Sequence, residues 1–329
     1  MANSQNHMTD VLILGAGMSG MAAASEVSRA GRSVMVVDKG RAVGGRMATR
    51  RIGEAVFDHG AQFITARSDR FTNKIREWCA QDIVREWCRG FTATADGHPR
   101  WRGNTNMKAL PRHLSEGIEV LLEARVTSIR QEGNHWSVAI DDGGTITTAA
   151  LLLTAPIPQS LFLIDQGNFV IRKDLRARLD AIQYERCLAV LAVLDGPSGI
   201  SPPGGMVFED GPISWLADNQ LKGISPVPCV TIHASHAFSL AHWDADRDAA
   251  GKFLLDTAAP WIRSGVKEFQ THGWLFSKPL RVYDDPCAVL HAKPLLVVAG
   301  DAFAGPKVEG AACSGWAAAE KLLNHLARS

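Results

Sequence analysis

Near its start the chain carries two short apolar runs, residues 11–14 and 33–37, separated by an alanine-rich stretch over 18–30. Short apolar runs bounded by turn signals read as buried strands, and small residues at helical spacing read as a helix lying close on a sheet. The expected unit is strand, glycine turn, helix, strand, about thirty residues long and ending at Asp38. Alternation over residues 51–67 predicts a hairpin, and residues 71–87 predict an amphipathic helix. Residues 119–129, 135–140 and 145–153 predict strands joined by Asn and Gly turns (EGNHW, DDGG). The last of these stops at Pro156 and Pro158, which cannot continue a strand ladder.

From about residue 162 to 283 the pattern changes. A charged helical stretch (RKDLRARLDAI), apolar strands (CLAVLAVLDG, CVTIHAS) and Pro/Gly loops such as GPSGISPPGG read as an inserted second domain. The run PLLVVAG then returns to the strand character of the N-terminal half, and residues 310–327 predict a helix with Trp316, Leu322, Leu323 and Leu326 near one stripe. The expected division is residues 1–64, 103–160 and 284–329 in one domain, and 65–102 with 161–283 in the other.

With 329 residues, 46% hydrophobic and 21% charged, the chain can form one large or two ordinary cores. A formal net charge of +1, with no long run of one sign, gives no reason to expect nucleic acid or an anionic membrane as partner. Cys79, Cys88, Cys187, Cys229, Cys287 and Cys313 are scattered, without the C-x-x-C spacing of metal or redox pairs. The opening MANSQNHMTD is polar, and no apolar run reaches the roughly 18 residues of a membrane helix. The reading is a soluble protein of the reducing cytoplasm, with no metal.

Gly15, Gly17 and Gly20 form G-x-G-x-x-G between the first strand and helix. There the first glycine makes the tight turn, the second lets a pyrophosphate approach the backbone, and the third lets helix and strand pack closely. The helix N-terminus adds N–H groups and positive dipole for the phosphates. Asp38, 18 residues beyond Gly20, is placed to accept from ribose hydroxyls. These features leave open which adenine dinucleotide binds, NAD or FAD. Soon afterwards comes Gly44-Gly45-Arg46, two conformationally permissive residues and a fork of donors suited to phosphate oxygens. A ligand gripped there as well as at Gly17 is longer than its pyrophosphate.

The series GAGMSG, DKGRAVGGRM, DHGAQFIT, LTAPIP, GDAF and EGA resembles the flavoprotein amine oxidase superfamily, and within it the renalase-like proteins. The matches run from residue 11 to the last helix; GGRM, DHGAQFIT, WLADN and TIHAS carry the narrower likeness. The resemblance implies an α/β fold: a Rossmann-like FAD-binding domain of the glutathione-reductase/p-hydroxybenzoate-hydroxylase type, with a second, mixed-sheet substrate domain covering the flavin face. It also implies FAD, expected to be noncovalent because no cysteine sits where the monoamine oxidases attach their flavin. Gly15, Gly17, Met18, Ser19, Gly20, Asp38 and Lys39 would lie at its adenine half, with Val126 meeting adenine. Gly45, Arg46, Met47, Gly60, Ala61 and Gln62 would also contact it, Gln62 facing the flavin edge or the substrate amide, and Asp301 would meet its ribityl or pyrophosphate region. Val308, Glu309, Gly310 and Ala311 would approach the isoalloxazine. Hydride uptake leaves negative charge across flavin N1 and the C2 carbonyl, which a helix starting near Gly310 would stabilise.

Renalase-like proteins imply hydride transfer from 2- or 6-dihydro-NAD(P) to flavin, then to molecular oxygen, giving NAD(P)+ and hydrogen peroxide. Candidate substrate contacts are Gln62, His233, Trp215 and Asn219. PKVEGA lacks the aromatic residue that commonly precedes this segment in amine-oxidising members, so an amine oxidase is the alternative. Two further alternatives are an interaction module that binds FAD only to fold, and an NADPH-dependent monooxygenase, for which a second G-x-G-x-x-G unit is missing.

Overall fold

The computed structural model describes residues 7–91, 96–141 and 143–328. Asp142, in the expected DDGG turn, and residues 1–6 of the polar opening lie outside them. The chain divides into two compact units.

Unit 1 comprises Met1–Gly45, Pro111–Gln183 and Pro279–Ser329. Its sheet runs Ala288–Ala292, Leu295–Val298, Thr145–Leu153, His7–Leu14, Val34–Val37, Glu119–Leu121. All neighbours in that order are parallel except the first pair. Register aligns Leu12 with Leu151 and Met35, and Leu151 with Leu296, four buried side chains. A parallel sheet is covered on both faces, which is why these strands read as continuous apolar runs rather than alternating ones. The early halves of Thr145–Leu153 and the strands His135–Ile140 and Val126–Glu132 form an antiparallel extension. Helix Met18–Arg29 packs against the last helix, Val308–Leu326. Gly315 makes that approach possible, since a Cβ there would collide with the Ser19 carbonyl oxygen. Of the expected stripe, Trp316 and Leu322 are buried, whereas Leu323 and Leu326 are half-buried.

Unit 2 comprises Arg46–Leu110 and Tyr184–Lys278. Its five-stranded sheet runs Gly205–Val207, Ile213–Asp218, Cys229–Ala234, Tyr184–Leu194, Val266–Pro279. One face packs on helix Arg247–Ile262 through Val190, Val230, Ile232, Leu254 and Ala258. The other meets the hairpin Thr49–Ile52 and Ala55–Asp58 through Phe57, Leu191 and Cys229. This moves residues 46–64 and 103–110 to unit 2, and residues 161–183 and 279–283 to unit 1, relative to the division expected from composition. Apolar contact made far along the chain, such as Phe57 with Cys229, sets these boundaries.

Residues 71–87 do not form one helix. The helix is Asp69–Ala80, capped by Ser68, and Val84–Cys88 is a strand. Asp82 adopts the left-handed region, and Ile83 N–H turns back to the Trp78 carbonyl at 2.8 Å, which closes the helix. Conversely, Pro156 and Pro158 start helix Ile157–Gln166, where a missing N–H costs nothing. No helix among the described residues is long and apolar enough to cross a membrane.

Candidate active site

In unit 1 the three glycines of the first loop have separate physical roles. Gly15 has φ +115°, and a Cβ there would stand 2.5 Å from Thr154 Oγ1. Gly20 has no room either, because its Cβ would strike the Gly15 carbonyl oxygen. Gly17 differs: it has ordinary extended backbone and nothing within 4 Å of a Cβ position. Packing among the described residues therefore does not require glycine at this position. Ser19 Oγ, in the first turn, is buried without a partner among the described residues, and no side chain caps the helix at Gly17. A phosphate-bearing ligand suits all three observations.

The second glycine pair folds onto the first loop. Gly44 N–H donates to the Ala16 carbonyl at 2.8 Å, and a Cβ on Gly45 (φ +51°) would lie 3.2 Å from Gly17 Cα. Asp38 accepts from Ala16 N–H at 2.6 Å through one oxygen and from Gly40 N–H at 2.7 Å through the other. The expected ribose acceptor thus also shapes the loop, and a carboxylate's roughly four lone-pair sites leave acceptor capacity beyond these two bonds. Ala124 N–H donates to the Asp38 carbonyl at 3.1 Å, which brings the chain leading to half-buried Val126 alongside. Lys39 is exposed and Met18 is buried.

Unit 1 also joins its two ends. Thr154 Oγ1 donates toward the Leu14 and Gly15 carbonyls, both at 3.0 Å, and Gly300 N–H donates to Ser314 Oγ at 2.8 Å. Asp301 is buried at the start of the Asp301–Ala304 turn. The helix after it begins at Val308, two residues before the expected Gly310, and has no side-chain cap. Val308 and Gly310 are buried, Glu309 and Ala311 half-buried. A Cβ on Gly310 would strike the Gly305 carbonyl oxygen, so this glycine is fixed by packing.

In unit 2, strand alternation sends Val230, Ile232 and Ala234 into the helix-facing core. The side chains between them meet the FDHG segment. Cys229 Sγ lies 3.6 Å from the Val56 carbonyl, Thr231 Oγ1 donates to Asp58 O at 3.2 Å, and His233 Nε2 lies 3.1 Å from His59 O. Facing a carbonyl, His233 Nε2 carries the proton. Trp274 Nε1 donates to the same His59 carbonyl at 2.8 Å. The His59 ring stacks on Trp274 (5.2 Å, 28°) and meets His272 edge-on at 5.0 Å.

Gln62 Nε2 donates to Asp58 O at 2.5 Å and Gly60 O at 3.2 Å. Two carbonyl partners demand the NH2 group, so the amide orientation follows from the network. Gln62 Oε1 is then a buried acceptor without a partner among the described residues. Asn219 Nδ2 donates to Thr231 Oγ1 at 3.0 Å; that hydroxyl's only proton goes to Asp58 O, which orients this amide too and leaves Asn219 Oδ1 without a partner among the described residues. Trp215 sits in an aromatic group with Phe63, Trp87 and Phe91, 4.8 Å from the last. Gly60 has no room for a Cβ because of the Arg46 carbonyl oxygen, which accepts from Ala61 N–H at 2.8 Å. Arg46 Nη1 donates to Ser277 O at 3.2 Å, so the expected phosphate fork also braces the long strand; Met47 is buried.

The structure therefore brings Gln62, His233 and Asn219 into one network and places Trp215 in a neighbouring aromatic group. It adds His59, His272 and Trp274, none of which the sequence reading selected. His59 adjoins Gly60 in DHGAQFIT, the one local signal; nothing local marks the other two.

Burial is the main cause that lowers His59 to about 3, His233 to about 4 and His272 to about 4. His272 and Arg50 add to it at His59, Lys222 at His233, and Arg50 with Arg247 at His272. All three rings are neutral at pH 7 and take up protons on unfolding near the ordinary value of 6.5. Stability is full above that pH and declines as pH falls toward 4, at up to about 1.4 kcal/mol per pH unit for each fully buried ring, less for His233 and His272, which keep some exposure. Thermal unfolding followed from pH 7 to 5 should show a falling midpoint, and His59→Gln should flatten the slope. An unchanged slope in that variant would contradict the assignment.

The glycine loop and its helix fit a dinucleotide-binding fold, and the comparisons with known proteins make it that of a flavoprotein. The chain is a renalase homologue of the flavin-containing amine oxidase superfamily, and its cofactor is FAD. Residues 13–80 match an NAD(P)-binding Rossmann-like domain, and residues 91–198 match flavin containing amine oxidoreductase. It is 27% identical over 331 residues to renalase of Mus musculus, covering 92% of this chain and 95% of that one. A redesigned putrescine oxidase (TM-score 0.69, 15% identity, 98% of this chain and 100% of that one) has a similar fold. So does a putative protoporphyrinogen oxidase from Exiguobacterium (TM-score 0.72, 14% identity, 98% and 100%).

Proposed function

We propose that the protein oxidises 2- or 6-dihydro-NAD(P), with oxygen as final acceptor: dihydro-NAD(P) + O2 + H+ gives NAD(P)+ + H2O2. FAD, when bound noncovalently, supplies the two-electron acceptor and the route to oxygen. Gly17, Ser19 and the Met18–Arg29 helix start would hold its pyrophosphate, Asp38 and Val126 its adenosine, and Asp301 with residues 308–311 its remaining length.

The reading is carried by one observation: a carboxamide oxygen, Gln62 Oε1, without a partner among the described residues, on an amide held by the backbone that flanks the His59 ring and its Trp274 stack. A dihydropyridine becomes aromatic on losing hydride, so its oxidation needs stacking and orientation more than acid-base catalysis. Gln62 Oε1 would accept from the nicotinamide carboxamide N–H, and His59 and Trp274 would provide flat ring surface. His233 would act by bracing the His59 carbonyl, Asn219 by orienting Thr231, and Trp215 as an adjoining wall. With its histidines neutral and Asp58 paired to Lys222, the group offers an ammonium substrate no free carboxylate. The described cysteines are thiols, which suits the reducing cytoplasm we propose as its location.

Anaerobic rapid mixing tests this. The 2- or 6-dihydro isomer should bleach the flavin within one turnover; bleaching by primary or secondary amines alone would overturn the reading.

A further inference from the structure

Asp58 and Lys222 form an ion pair at 2.8 Å with both side chains fully buried. Such a pair is a poor source of stability, because desolvating two charges cancels much of their attraction. Its geometry suggests what it specifies instead. Asp58 Oδ1 accepts from Thr49 Oγ1 at 2.8 Å and Met107 N–H at 3.0 Å, while Oδ2 accepts from Lys222 Nζ. Lys222 is aligned in turn by the Trp87 ring, 5.1 Å away. The carboxylate is thus held from three separate stretches of the chain.

The two carbonyls that follow that anchor carry the site. Asp58 O receives Gln62 Nε2 and Thr231 Oγ1; His59 O receives His233 Nε2 and Trp274 Nε1. Rotation of the Asp58–His59 peptide would remove the shorter of the two bonds that orient the Gln62 amide, leaving only the 3.2 Å bond to Gly60 O against a flip that puts the NH2 group where the carbonyl oxygen now lies.

We infer that Asp58 and Lys222 are positioning residues that lock the Asp58 peptide, so that Gln62 presents an acceptor only and selects rings bearing an N–H donor. This rests on the dihydronicotinamide reading and deepens it: the recognised substituent is a carboxamide, as against a ketone of the same shape.

The test uses the FAD-loaded protein and its Asp58→Asn/Lys222→Met double variant, in which no charge is left alone. Substrates are 6-dihydro-NAD and its 3-acetylpyridine counterpart, whose methyl ketone lacks the N–H. Wild type should favour the carboxamide in kcat/KM by roughly tenfold, the worth of one buried hydrogen bond. The double variant should bring the ratio to about one, through KM for the carboxamide, with kcat for the ketone kept. An unchanged ratio, or equal losses on both substrates, would overturn the inference. A second measurement needs neither substrate nor variant: the Gln62 side-chain N–H protons, followed by NMR with 15N-glutamine, should exchange slowly. Exchange as fast as in denatured chain also overturns it. If neither nucleotide reduces the wild-type flavin, the dihydronicotinamide reading itself fails, while the exchange data still decide whether Gln62 is locked.

Discussion

Gly17→Glu is expected to give a folded, colourless protein. The backbone at Gly17 is extended and a Cβ there meets nothing within 4 Å, so the chain itself tolerates a side chain. A cofactor pyrophosphate held at the proposed site would not. A carboxylate about 4 Å from a phosphate at an effective dielectric near 20 costs about 4 kcal/mol, roughly three orders of magnitude in affinity. The flavin-to-protein absorbance ratio should fall at least about tenfold at micromolar FAD, with far-ultraviolet dichroism unchanged. Gly20→Ala makes the informative contrast, since its methyl would strike the Gly15 carbonyl oxygen. That variant should lose stability along with FAD. A yellow Gly17→Glu protein with full occupancy would remove the first loop from the cofactor site.

The second large effect is expected from Asp58→Ala. It leaves Lys222 charged, fully buried and without its counter-ion, and strips Thr49 Oγ1 and Met107 N–H of their acceptor. Breaking one side of a buried pair costs about 3–5 kcal/mol, a large share of the roughly 5–15 kcal/mol that holds a domain together. Urea unfolding should place Asp58→Ala at least about 3 kcal/mol below wild type. Asp58→Asn/Lys222→Met should recover most of the loss, since no charge remains unpaired. A loss under about 1 kcal/mol for Asp58→Ala would mean that Lys222 finds another partner or enters the fold neutral; burial already pulls its pKa down against the upward influence of Asp58.

The features legible in the sequence are those whose cause is local. Gly15 and Gly20 are glycine because of atoms within one turn or at the next strand end, and the apolar runs around them read as strands because a parallel sheet buries both faces. The paired Gly44 and Gly45 pointed to an extended ligand, and in the structure they fold onto Gly17. The stop at Asp82 was not legible, because a left-handed aspartate leaves little trace beside a continuing amphipathic pattern. Lys222, in DNQLKG, looks like a solvated turn residue; its burial depends on Asp58, 164 positions earlier. His59 was visible only as the neighbour of Gly60, since its stacking partner Trp274 lies 215 positions away. His233 stood out in its apolar strand, and the structure gives it a bracing hydrogen bond to backbone.

The most direct measurement is product stoichiometry during aerobic turnover of the FAD-loaded protein with 6-dihydro-NAD. Proposed chemistry and site together require one NAD+ and one hydrogen peroxide for each oxygen consumed, with no aldehyde or ammonia formed. Oxygen uptake that appears only when an amine is added, with aldehyde and ammonia as products, would contradict it.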